Sequence, residues 1–347
     1  MAGRRVCAAR LPLAQGVQQQ LLPSSPAVAR GDDGGCRRAC PWTTAAQVVD
    51  LETLTNRKAV VMRWAMPLLV CAALGNFGPG LAADDDDSPF SVPAGGISAK
   101  PSLDERLLFL PVPLSREHRP PNPPGVDDVW LTAPDGVRLH AWWLPHERPV
   151  AHILYLHGNS GNLWSVAQRL QWLHDVAECA VLAVDYRGYG LSEGTPTVDG
   201  VLCDIRAARK ELCRRSGCLP GADVLIGRSL GGALAIDLAA EKPPRGLVLE
   251  STFLNYRAAA QHHAGRLAAL IPEDRLDSQA RLPKYPGPLL QMHGDADRIV
   301  PFEQGRALHE VARGPKQFVV VPGKGHSNTL TPEYLAELRR FLRDLPK

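Results

Sequence analysis

Gly227-Arg228-Ser229-Leu230-Gly231 sets a serine two residues from a glycine on either side. Before it, 224–226 is a β-branched and aliphatic run, and after it comes an Ala/Leu-rich stretch with helical spacing. A serine held between strand and helix sits in a sharp turn, where side chains two residues away on either side would clash. Its hydroxyl is lifted above the sheet at the positive end of a helix, which favours developing negative charge. That arrangement suits attack on a carbonyl.

Three more loops carry residues that such an attack needs. His157-Gly158-Asn159-Ser160-Gly161-Asn162 follows an apolar run at 153–156 and can turn backbone N–H groups toward the serine. Two donors are needed for the oxyanion of a tetrahedral intermediate, and the expected pair is the backbone N–H of Leu230 and of Asn159. His157 reads as a loop brace and not as a catalytic group. His293-Gly294-Asp295-Ala296-Asp297 follows the run 289–292, and Gly323-Lys324-Gly325-His326 follows 318–321. Serine is a poor nucleophile until an imidazole takes its proton, and a buried carboxylate fixes that imidazole's tautomer. His326 is the expected base and Asp297 the expected acid, since Asp297 lies further into its loop than Asp295. Glu250 is a third acidic candidate, expected instead to brace nearby backbone. This chemistry calls for no cofactor and no metal. The adjacent His262 and His263 lack the i, i+3 or i, i+4 spacing of helical ligands and read as solvated or packing residues.

The elements that must position these loops can be read in order. Residues 129–132 and 137–144, joined by Pro134-Asp135-Gly136, predict an antiparallel hairpin. Strands are then expected at 153–156, 180–184, 224–226, 246–249, 289–292 and 318–321, with helices at 163–174, 198–213, 229–240, 302–311 and 332–345. Two antiparallel strands followed by β/α alternation imply an α/β fold: a mostly parallel eight-stranded sheet with helices on both faces. Ligands of such sheets sit beyond the carboxyl ends of the strands, where all four loops fall. Residues 252–283 interrupt the alternation with short helical pieces and predict a short lid. Leu254, Leu267, Leu270 and Ile271 are its candidate substrate-pocket residues, with packing of the lid onto the body as the alternative.

From about Asp127 onward the chain resembles the α/β-hydrolase superfamily, in which the order serine, acid, histidine is the usual one. Gly-Arg-Ser-Leu-Gly-Gly-Ala at 227–233, Leu-Glu-Ser-Thr-Phe at 249–253 and His-Gly-Asn-Ser-Gly-Asn at 157–162 are similar to a small-lid branch of lysophospholipase-like and depalmitoylase-like enzymes. Asp185-Tyr186-Arg187-Gly188-Tyr189-Gly190-Leu191-Ser192 matches a loop that is structural in that group. The resemblance implies the α/β-hydrolase fold, the Ser229-Asp297-His326 triad and hydrolysis of acyl esters or thioesters. The alternatives are a serine aminopeptidase or amidase, with Glu273, Asp274 and Asp277 holding a substrate amine, and a non-catalytic binding module on the same scaffold. The latter usually lacks a triad member or an elbow glycine, and neither is lacking here.

A net charge of +3 without a Lys/Arg block implies no nucleic-acid partner, leaving a small-molecule or lipid acyl substrate. Residues 1–61 show no sustained periodicity and read as a disordered or mis-assigned extension. Residues 62–83 have a basic start, a short apolar core and small residues at Gly80 and Ala82, the pattern of a secretory signal. Export to a periplasmic or extracellular location is therefore expected, with a short membrane anchor and peripheral membrane contact, or a cytoplasmic protein, as alternatives. Residues 84–125 form a Pro-rich, extended lead-in to a hydrolase domain at 126–347. Cys213 and Cys218 flank a helix end and could bridge in an oxidising compartment, or remain free thiols.

Overall fold

The computed structural model describes residues 100–346. The expected extension at 1–61, the signal or anchor at 62–83 and the first part of the lead-in lie outside the described residues.

Eight strands form one sheet: β1 (Asp127–Thr132), β2 (Arg138–Leu144), β3 (His152–Leu156), β4 (Ala180–Val184), β5 (Val224–Arg228), β6 (Gly246–Glu250), β7 (Leu289–Gly294) and β8 (Lys316–Val321). Their spatial order is β1-β2-β4-β3-β5-β6-β7-β8. The β1–β2 and β2–β4 pairs are antiparallel and all others parallel. Period-two alternation divides the core between the two faces. Leu154 and Leu156 of β3 and Leu247 and Leu249 of β6 join one cluster, whereas Ile153, Tyr155 and Val248 join the other. Both faces are apolar because helices cover both.

On the first face lie α3 (Val198–Ser216), α4 (Leu230–Glu241) and α7 (Phe302–Val311); on the second lie α2 (Leu163–Asp175) and α8 (Pro332–Asp344). Local sequence sets their ends. The Asn162 side chain accepts the Ser165 N–H at the start of α2, and Thr197 accepts the Gly200 N–H at the start of α3. Gly217, at φ 68°, turns the chain out of α3. The chain passes from β3 outward to β4 and returns as β5 on the other side of β3. This reversal is the kind of crevice in which α/β sheets hold ligands.

The lead-in differs from the extended segment expected, since it contains a helix, α1 (Leu103–Leu108). Its cause is local: the Glu105 carboxylate accepts the Ser102 backbone N–H at 2.8 Å, closing a capping box. Glu105 is buried and also accepts the Val198 N–H at 2.8 Å, so one carboxylate joins α1 to the start of α3. The segment expected to form a lid folds as α5 (Tyr256–Ala264), a 3₁₀ turn (Gly265–Leu270), the short α6 (Ser278–Arg281) and a second 3₁₀ turn (Leu282–Lys284). Among the described residues no helix is long and apolar enough to cross a membrane.

Candidate active site

Ser229 lies between β5 and α4 with φ 53° and ψ −117°, a left-handed backbone that only a tightly supported turn retains. The support is close packing around glycines. A Cβ on Gly227 would lie 2.2 Å from the Gly231 oxygen, and one on Gly231 would lie 2.1 Å from the Leu156 oxygen. The third glycine, Gly232, leaves room for Thr252, whose hydroxyl donates to the Ser229 carbonyl at 2.8 Å. The Ser229 N–H donates to the Glu250 carbonyl at 2.8 Å. The serine is thus fixed from β6 as well as from its own turn.

The acid and the histidine meet as the sequence predicts. Nδ1 of His326 donates to Oδ2 of Asp297 at 2.8 Å, and the Asp297 side chain is wholly buried. The other oxygen, Oδ1, accepts the N–H groups of Ile299 at 2.8 Å and Val300 at 2.9 Å. Burial alone would raise the Asp297 pKa, but the adjacent His293 ring, the hydrogen bond from His326 and the Val300 backbone N–H outweigh it and hold the carboxyl below the ordinary range. For His326, burial favours the neutral ring and outweighs the pull of Asp297, so its pKa is lowered, with Arg228 acting in the same direction. A neutral imidazole oriented by a carboxylate is the form that accepts a proton.

Asp295 serves a different purpose: its Oδ1 accepts the Gly323 N–H at 2.6 Å. Ala296 donates to the Lys324 carbonyl at 3.1 Å, and a Cβ on Gly294 would lie 2.2 Å from that same oxygen. The acid loop and the histidine loop are therefore joined along their backbones. The Glu250 side chain does not brace backbone as expected; it pairs with the Arg169 guanidinium and accepts from the Tyr334 hydroxyl, away from the serine. Two supporting residues escaped the sequence reading. Arg228 donates to the His326 carbonyl at 2.8 Å and to the Ser327 hydroxyl at 3.2 Å. Nε2 of His293 donates to the Val300 carbonyl at 2.9 Å and lies 3.3 Å from the Asp297 carboxylate. Their available signals were position: one precedes Ser229, and the other is the penultimate residue of the strand that leads to Asp297.

The loop after β3 lies beside the serine, where a Cβ on Gly158 would lie 3.6 Å from the Ser229 Cβ. Oδ1 of Asn159 accepts the Leu110 N–H at 2.9 Å and the Tyr189 hydroxyl at 2.7 Å, and its amide donates to the Leu108 carbonyl. Among the described residues, neither the Asn159 nor the Leu230 backbone N–H donates a hydrogen bond to the protein. His157 is a brace: it is buried, donates to the Gly158 carbonyl at 2.7 Å and stacks on Tyr186 with ring centres 4.3 Å apart. Arg187 is likewise structural, held between Asp204 and Asp135.

The four pocket candidates do not form one lining. Ile271 is buried in the core and Leu254 packs against it, whereas Leu267 and Leu270 are 64% and 78% exposed. The reason lies in how the segment 252–283 is attached. His262 and His263 donate to the carbonyls of Arg298 and Ile299, at 3.1 and 2.8 Å, and Tyr256 donates to the Asp104 carbonyl at 3.2 Å. These ties fix α5 over the acid loop and turn the following 3₁₀ segment outward. The two histidines thus anchor the segment expected to form a lid.

A family model for serine aminopeptidases (S33) matches residues 147–276. The uncharacterized protein YfhR of Salmonella typhimurium is 32% identical over 232 residues, covering 62% of this chain and 79% of the relative. An uncharacterized protein of Mycobacterium tuberculosis is 34% identical over 266 residues, covering 73% of this chain and 92% of the relative. A solved esterase of Pyrococcus furiosus superposes with a TM-score of 0.54 at 22% identity, covering 63% of this chain and 92% of that one. The eight-stranded sheet, the elbow and these relatives together define the class. The chain belongs to the α/β-hydrolase superfamily, and its class of chemistry is hydrolysis.

Proposed function

We propose that this protein cleaves carboxylic esters or thioesters of acyl chains through an acyl-enzyme on Ser229. His326 takes the hydroxyl proton as Oγ attacks the carbonyl carbon, and Asp297 stabilises the imidazolium through Nδ1. The N–H groups of Leu230 and Asn159 receive the oxyanion. His326 then protonates the departing alcohol or thiol, and water, activated by the same histidine, releases the acid. The observation that most supports this reading is the 2.8 Å bond between a wholly buried Asp297 and His326, with the second carboxylate oxygen saturated by backbone N–H groups. A carboxylate so satisfied orients an imidazole without taking its proton.

Amide substrates with a free amine are less well served. The Glu273 carboxylate is paired with Arg257, and Asp277 accepts the Ala280 N–H at the start of α6, so two of the three lid acids are already engaged. Export would follow from the pattern of residues 62–83, and N-terminal sequencing of the secreted protein tests it.

The deciding experiment is hydrolysis of p-nitrophenyl esters from acetate to palmitate by the purified full chain, beside Ser229→Ala. Turnover that disappears with Ser229 supports the reading, and the chain length of maximum kcat/KM measures the acyl site. A folded protein inactive across the series overturns it and makes aminoacyl amides the next substrates to try.

A further inference from the structure

Far from Ser229, at the opposite end of β5, a second reactive pair is assembled. Cys213 lies in the last turn of α3, and Gly217 turns the chain back so that Cys218 returns over it. The Gly217 N–H donates to the Cys213 carbonyl at 2.9 Å, and the Ser216 hydroxyl, bound to the Leu212 carbonyl at 2.7 Å, accepts the Cys218 N–H at 3.3 Å. The two sulfurs are 3.5 Å apart in a thiol–thiol hydrogen bond, and both are partly exposed. A bond between them needs a separation of about 2.05 Å, within reach of side-chain rotation. His152, the first residue of β3, interacts with the Cys218 sulfur. Cys179 and Cys203 are buried in core clusters on opposite faces of the sheet.

We propose that Cys213 and Cys218 form a redox site that closes into an intramolecular disulfide by exchange with a glutathione-type disulfide. Contact with Cys213 and His152 lowers the Cys218 pKa while that of Cys213 is raised, which favours Cys218 as the attacking sulfur. In the first step Cys218 Sγ attacks one sulfur of the donor, the donor S–S bond breaks, and one thiolate leaves and takes a proton. In the second, the Cys213 thiol loses its proton and attacks Cys218 Sγ, expelling the second half of the donor as a thiol. Two protein thiols are oxidised, and one donor disulfide is reduced to two thiols. The bridge staples the end of α3 to the chain that enters β5.

The test is to equilibrate the full chain with graded mixtures of oxidised and reduced glutathione, block remaining thiols with an alkylating agent, and analyse tryptic peptides. The expected result is loss of the free forms of 211–214 and 216–228 and their appearance as one disulfide-linked species as the mixture becomes oxidising. Cys213→Ser is expected to trap a glutathione adduct on Cys218, whereas Cys218→Ser leaves Cys213 alkylatable. Full alkylation of both cysteines in the most oxidising mixture, or linkage of either to a different cysteine or a second molecule, overturns the proposal. An adduct trapped on Cys213 and not on Cys218 overturns the assigned order of attack.

Discussion

The strand ends that carry Ser229, Asp297 and His326 and the segment at 252–283 that borders them are built on opposite terms. At the strand ends each functional side chain is fixed by several independent constraints. Ser229 is held by glycine packing, by the Glu250 carbonyl and by Thr252, and Asp297 by two backbone N–H groups and two histidines. The bordering segment is held by the burial of Phe253, Tyr256, Ile271, Leu276 and Leu282 in the core and by hydrogen bonds to backbone carbonyls, yet it leaves Leu267 and Leu270 in solvent. Chemistry demands reacting atoms placed within a fraction of an ångström, whereas accommodating an acyl chain demands apolar area of the right extent. The first region is expected to fail abruptly when altered, and the second to shift its preference.

The largest effect should come from the nucleophile or its base: Ser229→Ala and His326→Ala each lose on the order of 10⁶ in kcat, read by steady-state kinetics on the best ester. Asp297→Asn is expected to lose ~10⁴, whereas Asp295→Asn and Glu250→Gln retain near-normal kcat per folded molecule. Reversal of that ranking would reassign the acid. Glu250→Gln should instead lower stability by about 3 kcal/mol in denaturant unfolding, because Arg169 keeps its charge and loses its buried partner.

Arg228→Ala is expected to lower kcat by about 10-fold to 10²-fold, by freeing the backbone that carries His326. Its pH profile separates this from a structural defect. The lowered His326 pKa places the acid limb of kcat/KM below the ordinary histidine value of ~6.5, since the base stays neutral to lower pH. Removing the Arg228 cation should move that limb up, and Asp297→Asn should move it down. Smallest in kcat and in stability, within about 0.5 kcal/mol, are Leu267→Ser and Leu270→Ser. Their expected effect is a rise in KM for long acyl chains with short ones unchanged. An equal loss across all lengths would show that the lid contributes to the chemistry itself.

The same division governed what could be read from sequence. The sheet was legible because buried parallel strands are short apolar runs, and α7 over Phe302–Val311 falls where its periodicity indicates. Helix α1 escaped because prolines surround it, although Ser102 and Glu105 stand at capping-box spacing. Glu250 was legible in principle. Leu247 and Leu249 face one side of the sheet, so period two sends Glu250 to the other, where Arg169 on α2 and Tyr334 on α8 wait. The lid side chains were not legible. Their directions follow from ties to Asp104, Arg298 and Ile299, residues distant in the chain that no local pattern connects.

The positive φ of Ser229 has a consequence for selection. Glycine tolerates that backbone on the order of 1 kcal/mol better than a residue with a Cβ. A library of this chain screened only for surviving heat, with no demand for turnover, should therefore accumulate glycine at position 229. Serine persists there only while something outside the protein rewards the reaction.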